Sequence, residues 1–252
     1  ISLSDNMTGE IEDISGTLTI KTNKKSIPTG KENILYKIYD KFYNESNLER
    51  RKVYVYLKKR IPHQAGLGGG SSNGAFLLKL LNDFHGKYFS MEKMIDIGKS
   101  VGADIPFFLI NKSARVRGIG ESIEIIENNL DSALIVIKPD FGVSTGKAYK
   151  NMYMFNNKKD ADIDRIVLGL KENSLFTVEN NIENHLEQGL LLEDKNIIDF
   201  RKRLAALSNM KFFMSGSGSA YYTFADKNEK ENIYKILKEH FKNCEVHLCS
   251  SL

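Results

Sequence analysis

Four glycines and two serines within seven residues, Gly66-Leu67-Gly68-Gly69-Gly70-Ser71-Ser72, form the part of this sequence best suited to hold an anion. Glycine reaches φ angles closed to other residues, so consecutive backbone N–H groups can converge on one point. A helix starting there adds the positive end of its dipole. The ligand such chemistry suggests is a phosphate, most simply that of a nucleotide. The pattern is not a P-loop, which needs Gly-Lys-Ser/Thr after the glycines, nor the dinucleotide fingerprint, whose glycine spacing differs. A plainer reading is a turn in which Ser71 or Ser72 caps a helix. The second chemical group is Asp104, in Gly102-Ala-Asp-Ile-Pro106. A carboxylate behind a glycine turn can take the proton of a hydroxyl as phosphorus–oxygen bonding advances. The same placement also suits a turn cap.

These groups need elements to position them. The run Val53-Tyr-Val-Tyr-Leu57 reads as a strand, and 73–84, with Ala75, Leu77, Leu78 and Leu81, as a helix leaving the glycines. Strands are expected at 17–22 and within 114–126, with a turn near Gly118-Ile-Gly120. Helices are expected at 33–43 and from Ser90 to about Val101. A second unit is expected from Ala133, giving domains 1–132 and 133–252. In it, strands fall at 133–137, 211–214, 220–224 and 245–249, and helices at 146–152, 164–172, 178–190, 196–207 and 229–242. Strands and helices mix without regular alternation, an α+β pattern.

Composition narrows the function. The 252 residues are 41% hydrophobic and 27% charged, which suits a conventional core. No apolar run approaches the roughly 20 residues of a membrane helix, and no membrane partner is expected. The net charge of +4 is small, and Arg50-Arg51-Lys52 and Lys58-Lys59-Arg60 are short, so no nucleic-acid partner is expected either. Cys244 and Cys249 match no metal motif, and the five histidines form no ligand pair, so no metal-binding residues are assigned. Two cysteines in this length suit a reducing compartment, and the cytoplasm is the expected location.

The stretch Ile61-Pro-His-Gln-Ala-Gly-Leu-Gly-Gly-Gly-Ser-Ser-Asn73 resembles the phosphate-binding motif of the GHMP kinases. Gly102-Ala-Asp-Ile-Pro-Phe-Phe108, Arg117-Gly-Ile-Gly-Glu121 and Ser215-Gly-Ser-Gly218 agree with it, so the resemblance covers nearly the whole chain. It implies a two-lobed fold, with an N-terminal lobe like ribosomal protein S5 domain 2 and a C-terminal ferredoxin-like α/β-sandwich. It implies ATP and Mg2+ as cofactors, and a small-molecule acceptor most similar to a cytidine diphosphate-linked polyol. A monomer or weak homodimer is expected.

By the same resemblance Asp104 is the catalytic base. Gly66, Leu67, Gly68, Gly69, Gly70, Ser71 and Ser72 wrap the triphosphate, and Lys59 lies near the nucleotide base. Thr145, Tyr149, Ser215, Gly216, Ser217 and Gly218 meet the acceptor, with Tyr149 stacked on cytosine. Without it, Lys59 reads equally as a solvated strand-end lysine, Tyr149 as a core residue and 215–218 as a hairpin turn. The alternatives are a family member acting on homoserine, mevalonate or a sugar, and a catalytically silent nucleotide binder. The family also opens on an Ala-Lys-x-Asn strand and a Gly-Tyr-His hairpin, neither of which stands in these 252 residues. The sequence begins roughly where that segment would end, so residues before Ile1 supply it or the polypeptide is a shortened form of doubtful activity.

Overall fold

Alternation dictates the first sheet. In the strand Arg51–Lys58, Val53, Val55 and Leu57 are buried, while Tyr54 and Tyr56 face out. In the computed structural model, which describes residues 1–118, 120 and 122–250, the chain forms two compact units. One, here called N-terminal, holds Ser4–Ile61 and Gly68–Ile126. The other, C-terminal, holds Ile1–Leu3, Pro62–Leu67 and Glu127–Leu252. The expected division at 132/133 cut the chain once. The compact units part at 126/127, and six residues of the glycine stretch and its approach, Pro62–Leu67, belong with the second unit.

The N-terminal unit opens with β1 (Asn6–Ser15), β2 (Leu18–Thr22), α1 (Ile34–Ser46) and β3 (Arg51–Lys58). The sheet order is β1-β3-β2, with β1 antiparallel and β2 parallel to β3. Then come α2 (Gly69–Phe84), α3 (Met91–Val101), α4 (Ile105–Ile110) and the hairpin β4 (Ala114–Arg117)–β5 (Ser122–Ile125). Leu35, Ile38 and Phe42 of α1 and Leu77, Leu78 and Leu81 of α2 recur at helical spacing and bury against Leu18, Ile20, Val53, Val55 and Leu57. Each such side chain contributes about 1.5–3 kcal/mol when fully buried. Ile105 and Leu109 carry α4 into the same core, which fixes the helix that begins at Asp104.

The C-terminal unit runs β6 (Ala133–Lys138), α5 (Thr145–Met154), α6 (Ile163–Lys171), α7 (Leu175–Asn181), α8 (His185–Leu190), α9 (Lys195–Ala205), β7 (Phe213–Met214), β8 (Tyr221–Ala225), α10 (Lys230–His240) and β9 (Glu245–Ser250). Its sheet is antiparallel in the order β7-β8-β6-β9. Renumbered from β6, that order is 2-3-1-4, the split β-α-β arrangement expected of a ferredoxin-like sandwich. Ala133, Ile135 and Ile137 point into a core with Leu190, Ile197, Phe200 and Leu237. Val136 points the other way, into a small cluster with Ala65, Ala220 and Cys249, against which Leu67 packs. The approach to the glycines is thus pinned to the back of this sheet.

Three elements depart from expectation, one of them α4, a short helix not among those expected. β1 was not foreseen, because Gly9, Glu10, Glu12 and Asp13 weaken its local strand signal; its ladder with β3 makes it a strand. The single helix expected at 178–190 is two, α7 and α8, since Ile182 is extended (φ −76°, ψ 126°) and Asn184 caps a fresh helix. Among the described residues no helix is long and apolar enough to cross a membrane.

Candidate active site

In the N-terminal unit the glycines start a helix rather than form a loop ahead of one. Gly68 is the N-cap of α2, left-handed at φ 64° and ψ 14°, and Gly69, Gly70, Ser71 and Ser72 make its first turn. The serine cap of the plainer reading is therefore absent. Ser72 Oγ instead donates back to Gly69 O at 3.0 Å. A Cβ on Gly68 would stand 2.5 Å from the Phe108 ring, so glycine is required there both for φ and for room. Gly70 differs: a Cβ on it would meet nothing within 4 Å. With no capping side chain and no acid in the first turn, the amide end of α2 keeps its positive potential.

Lys59 is not a solvated strand-end lysine. Its side chain is 7% exposed and pairs with Asp5, itself 2% exposed. The Asp5 carboxylate also accepts from the Arg60 amide at 2.7 Å, the Ile61 amide at 2.9 Å and Asn73 Nδ2 at 3.0 Å. Lys59 Nζ lies 3.1 Å from where a Gly69 Cβ would be. Asp5, Lys59 and Asn73 thus form a buried polar brace at the start of α2. Asp5 and Asn73 were not singled out in the sequence. Asp5 sits 54 residues from Lys59, and no periodicity links them.

Asp104 occupies the N-cap position of α4, exposed, and its side chain makes no capping hydrogen bond. The turn-cap alternative therefore has no bond to rest on. α4 lies along the first turns of α2, with Phe108 against Gly68 and Ile105 against Gly74. From the other side Gly120, at φ 108°, backs onto the Ala103 carbonyl, where a Cβ would clash at 2.5 Å. Ile119 and Glu121 of the Arg117–Glu121 stretch lie outside the described residues.

In the C-terminal unit the structure brings Thr145 and the 215–218 turn together: Thr145 Oγ1 and Ser217 Oγ are 3.1 Å apart. The turn does join two antiparallel strands, β7 and β8, as a hairpin connection would. Gly216 and Gly218 have φ of 49° and 77°. Ser215 Oγ donates to Gly66 O at 2.9 Å, and a Cβ on Gly66 would lie 2.0 Å from Ser215 O. The amides of Ser219 and Ala220 donate to Gln64 and Ala65 carbonyls, both at 3.2 Å. Residues 64–66, up to the first glycine of the motif, and the second small-residue turn are thus one folded piece. Tyr149 is not a core residue. It stands 46% exposed on α5, its ring centroid 6.5 Å from that of Tyr153.

One lysine braces the loop leading to α5 and another ties its first turn. Lys138 is buried at the end of β6, where its Nζ donates to Pro139 O at 2.6 Å and Phe141 O at 2.7 Å. Burial pushes its pKa down. Lys147, in the first turn and a half of α5, meets Asp194 at 2.6 Å. Burial raises the Asp194 pKa, but the Lys147 ammonium and the Ile197 and Asn196 amides outweigh it, and the net shift is downward. Among the described residues no group of three His, Cys, Asp or Glu gathers as a metal cage, and both cysteines are free thiols.

A split β-α-β sheet in one unit and a glycine-opened helix beside a short Asp-led helix in the other match known proteins along their length. Residues 33–112 match the GHMP kinases N terminal domain and 168–243 the GHMP kinases C terminal domain. The chain belongs to the GHMP kinases. A relative from Fusobacterium nucleatum, 4-diphosphocytidyl-2-C-methyl-D-erythritol kinase, is 46% identical over 254 aligned positions, covering 100% of this chain and 86% of that protein. The enzyme of the same name from Clostridium acetobutylicum is 32% identical over 92% of this chain and 84% of its own length. A crystal structure of 4-(cytidine 5'-diphospho)-2C-methyl-D-erythritol kinase superposes with TM-score 0.77 at 26% identity, covering 99% of this chain and 88% of that one.

Proposed function

We propose that this protein transfers the γ-phosphoryl group of ATP to the 2-hydroxyl of 4-diphosphocytidyl-2-C-methyl-D-erythritol, a step of non-mevalonate isoprenoid precursor synthesis. The observation that carries the phosphate half is the uncapped, acid-free start of α2, with open space at Gly70 that protein packing does not explain. The acceptor is taken from the relatives that share the sequence end to end.

In this reading the amides of Gly68 to Ser72 hold the triphosphate. The buried Asp5–Lys59 pair keeps the first turn of α2 rigid while presenting an ammonium beside Gly69. Asp104 takes the proton of the acceptor hydroxyl as that oxygen bonds to phosphorus and the γ-phosphorus bond to the bridging oxygen of ADP breaks. Phosphoryl transfer depends mostly on such positioning and charge stabilisation. Mg2+ takes oxygen ligands and arrives largely on the phosphates. The Ser72 hydroxyl gives its proton inward to Gly69 O, which leaves its lone pairs for a cation, and Ser71 stands beside it. Bound there, the ion would neutralise charge on the β- and γ-oxygens. Tyr149 offers an exposed ring to the cytosine, and Thr145 with the 215–218 turn meets the diphosphate.

The test is ATP consumption by the full-length protein with the cytidyl alcohol, mevalonate and homoserine offered in parallel. Turnover confined to the cytidyl alcohol supports the reading. Preference for either other alcohol, or ATP binding with no turnover of any, overturns it.

A further inference from the structure

The turn 215–218 must hold one shape to present Ser217 to Thr145. Two of its residues are left-handed glycines, and such a segment loses much conformational entropy when fixed. A cavity of about 460 Å3, walled by Asn184, Glu187, Arg201 and Met214 among others, borders the strand that leads into it. What reaches across is Asn184. Its Nδ2 donates to Met214 O and to Gly216 O, both at 2.9 Å. Its Oδ1 accepts from the Leu186 amide at 2.9 Å and the Glu187 amide at 3.3 Å, capping α8. All four partners are main-chain groups of fixed polarity, so only one orientation of the amide satisfies them.

α8 in turn is set directly on the acceptor helix. Gly189 lies so close to α5 that a Cβ would be 2.5 Å from Met152 N. α5 carries Thr145 at its start and Tyr149 a turn later. The asparagine therefore ties the turn to the helix pair that bears the aromatic and the threonine, and the Thr145–Ser217 contact closes the circuit.

We propose that Asn184 is a positioning residue for acceptor recognition, holding the 215–218 turn in the form that binds the acceptor diphosphate; the assignment of an acceptor to this turn rests on the function proposed above. Serine is a good N-cap but has one hydroxyl proton and a short reach, so Asn184→Ser keeps the α8 cap and gives up the two bonds to the turn. Aspartate also keeps the capping oxygen while turning lone pairs toward both carbonyls.

The experiment measures hydrogen exchange across 214–219, thermal unfolding and steady-state kinetics for wild type, Asn184→Ser and Asn184→Asp. Faster exchange at 214–219, a KM for the cytidyl alcohol raised about tenfold, and a KM for ATP and a melting temperature close to wild type are expected of Asn184→Ser. A larger rise is expected of Asn184→Asp. Unchanged exchange in both variants, or equal losses toward ATP and acceptor with a lowered melting temperature, would overturn the proposal. The exchange readout needs no substrate. If wild type fails to turn over the cytidyl alcohol while exchange still rises in the variants, the acceptor is wrong and the tether stands.

Discussion

In the N-terminal unit the groups that would face a phosphate are main-chain amides at the start of α2, braced by an ion pair that is 7% and 2% exposed. In the C-terminal unit the groups that would face an acceptor are side chains in the open, Tyr149 at 46% and Thr145 likewise exposed, on a helix tied by a lysine that is half exposed. The first arrangement presents main chain to its ligand and is intolerant of backbone change. The second is the reverse. A donor shared by every member of a fold can be held by backbone, whereas an acceptor is selected by side chains that can vary without disturbing the core.

The largest effect that would test this contrast comes from the one side chain in the N-terminal unit assigned to chemistry. Asp104→Asn should lower kcat by about 10²–10⁴-fold with ATP affinity retained. Near-normal turnover would remove the base from the proposal. Next is the brace. Asp5→Ala leaves a buried ammonium without its partner and should destabilise the protein by about 3–5 kcal/mol in denaturant titration. A loss below 1 kcal/mol would mean the pair is not the rigid backing described.

On the acceptor side, Tyr149→Ala should cost about 1–3 kcal/mol in binding of the cytidyl alcohol, read as KM, with stability unchanged because the ring is exposed. A fall in melting temperature without a change in KM would reverse the contrast. Gly70→Ala is the complementary probe. The added methyl meets no protein atom, and alanine is the better helix former by up to about 1 kcal/mol, so stability should hold or rise. ATP affinity should fall several-fold, because the open space is assigned to phosphate. Unaltered ATP affinity would count against that assignment.

The smallest effect concerns the Lys147–Asp194 tie. The folded pKa of Asp194 lies below its ordinary 3.8, so the tie's contribution is present above that pH and is lost as pH falls through the folded value. Asn at 194 can still cap α9. The stability difference between wild type and Asp194→Asn should therefore be small at pH 7, shrink with added salt, and vanish in acid. The Asp5–Lys59 pair, being buried, should show little salt dependence.

Much of the fold was legible because periodicity reports burial. β3, α1, α3 and β6 fall where alternation or helical stripes put them. β1 was not legible, since a strand with Gly9 and several acids owes its form to the partner it pairs with. The break between α7 and α8 was hidden because the residues around it read as one helix; it depends on an asparagine whose amide has partners some thirty residues away. In the candidate site, Asp104 and the glycines carried local signals, whereas Tyr149 came only from the family resemblance. Asp5 and the tether made by Asn184 carried none, because their partners lie 30 or more positions away in the sequence.

The amino-acid sequence alone determined which backbone could turn tightly, where helices begin, and which carboxylate follows a glycine turn, since those are properties of residue type and near neighbours. Only the tertiary structure decided that Lys59 is buried against Asp5, that Gly66 interlocks with Ser215, and that Thr145 meets Ser217. Those contacts join residues separated by dozens of positions, and a chain acquires them only when its sheets and helices pack.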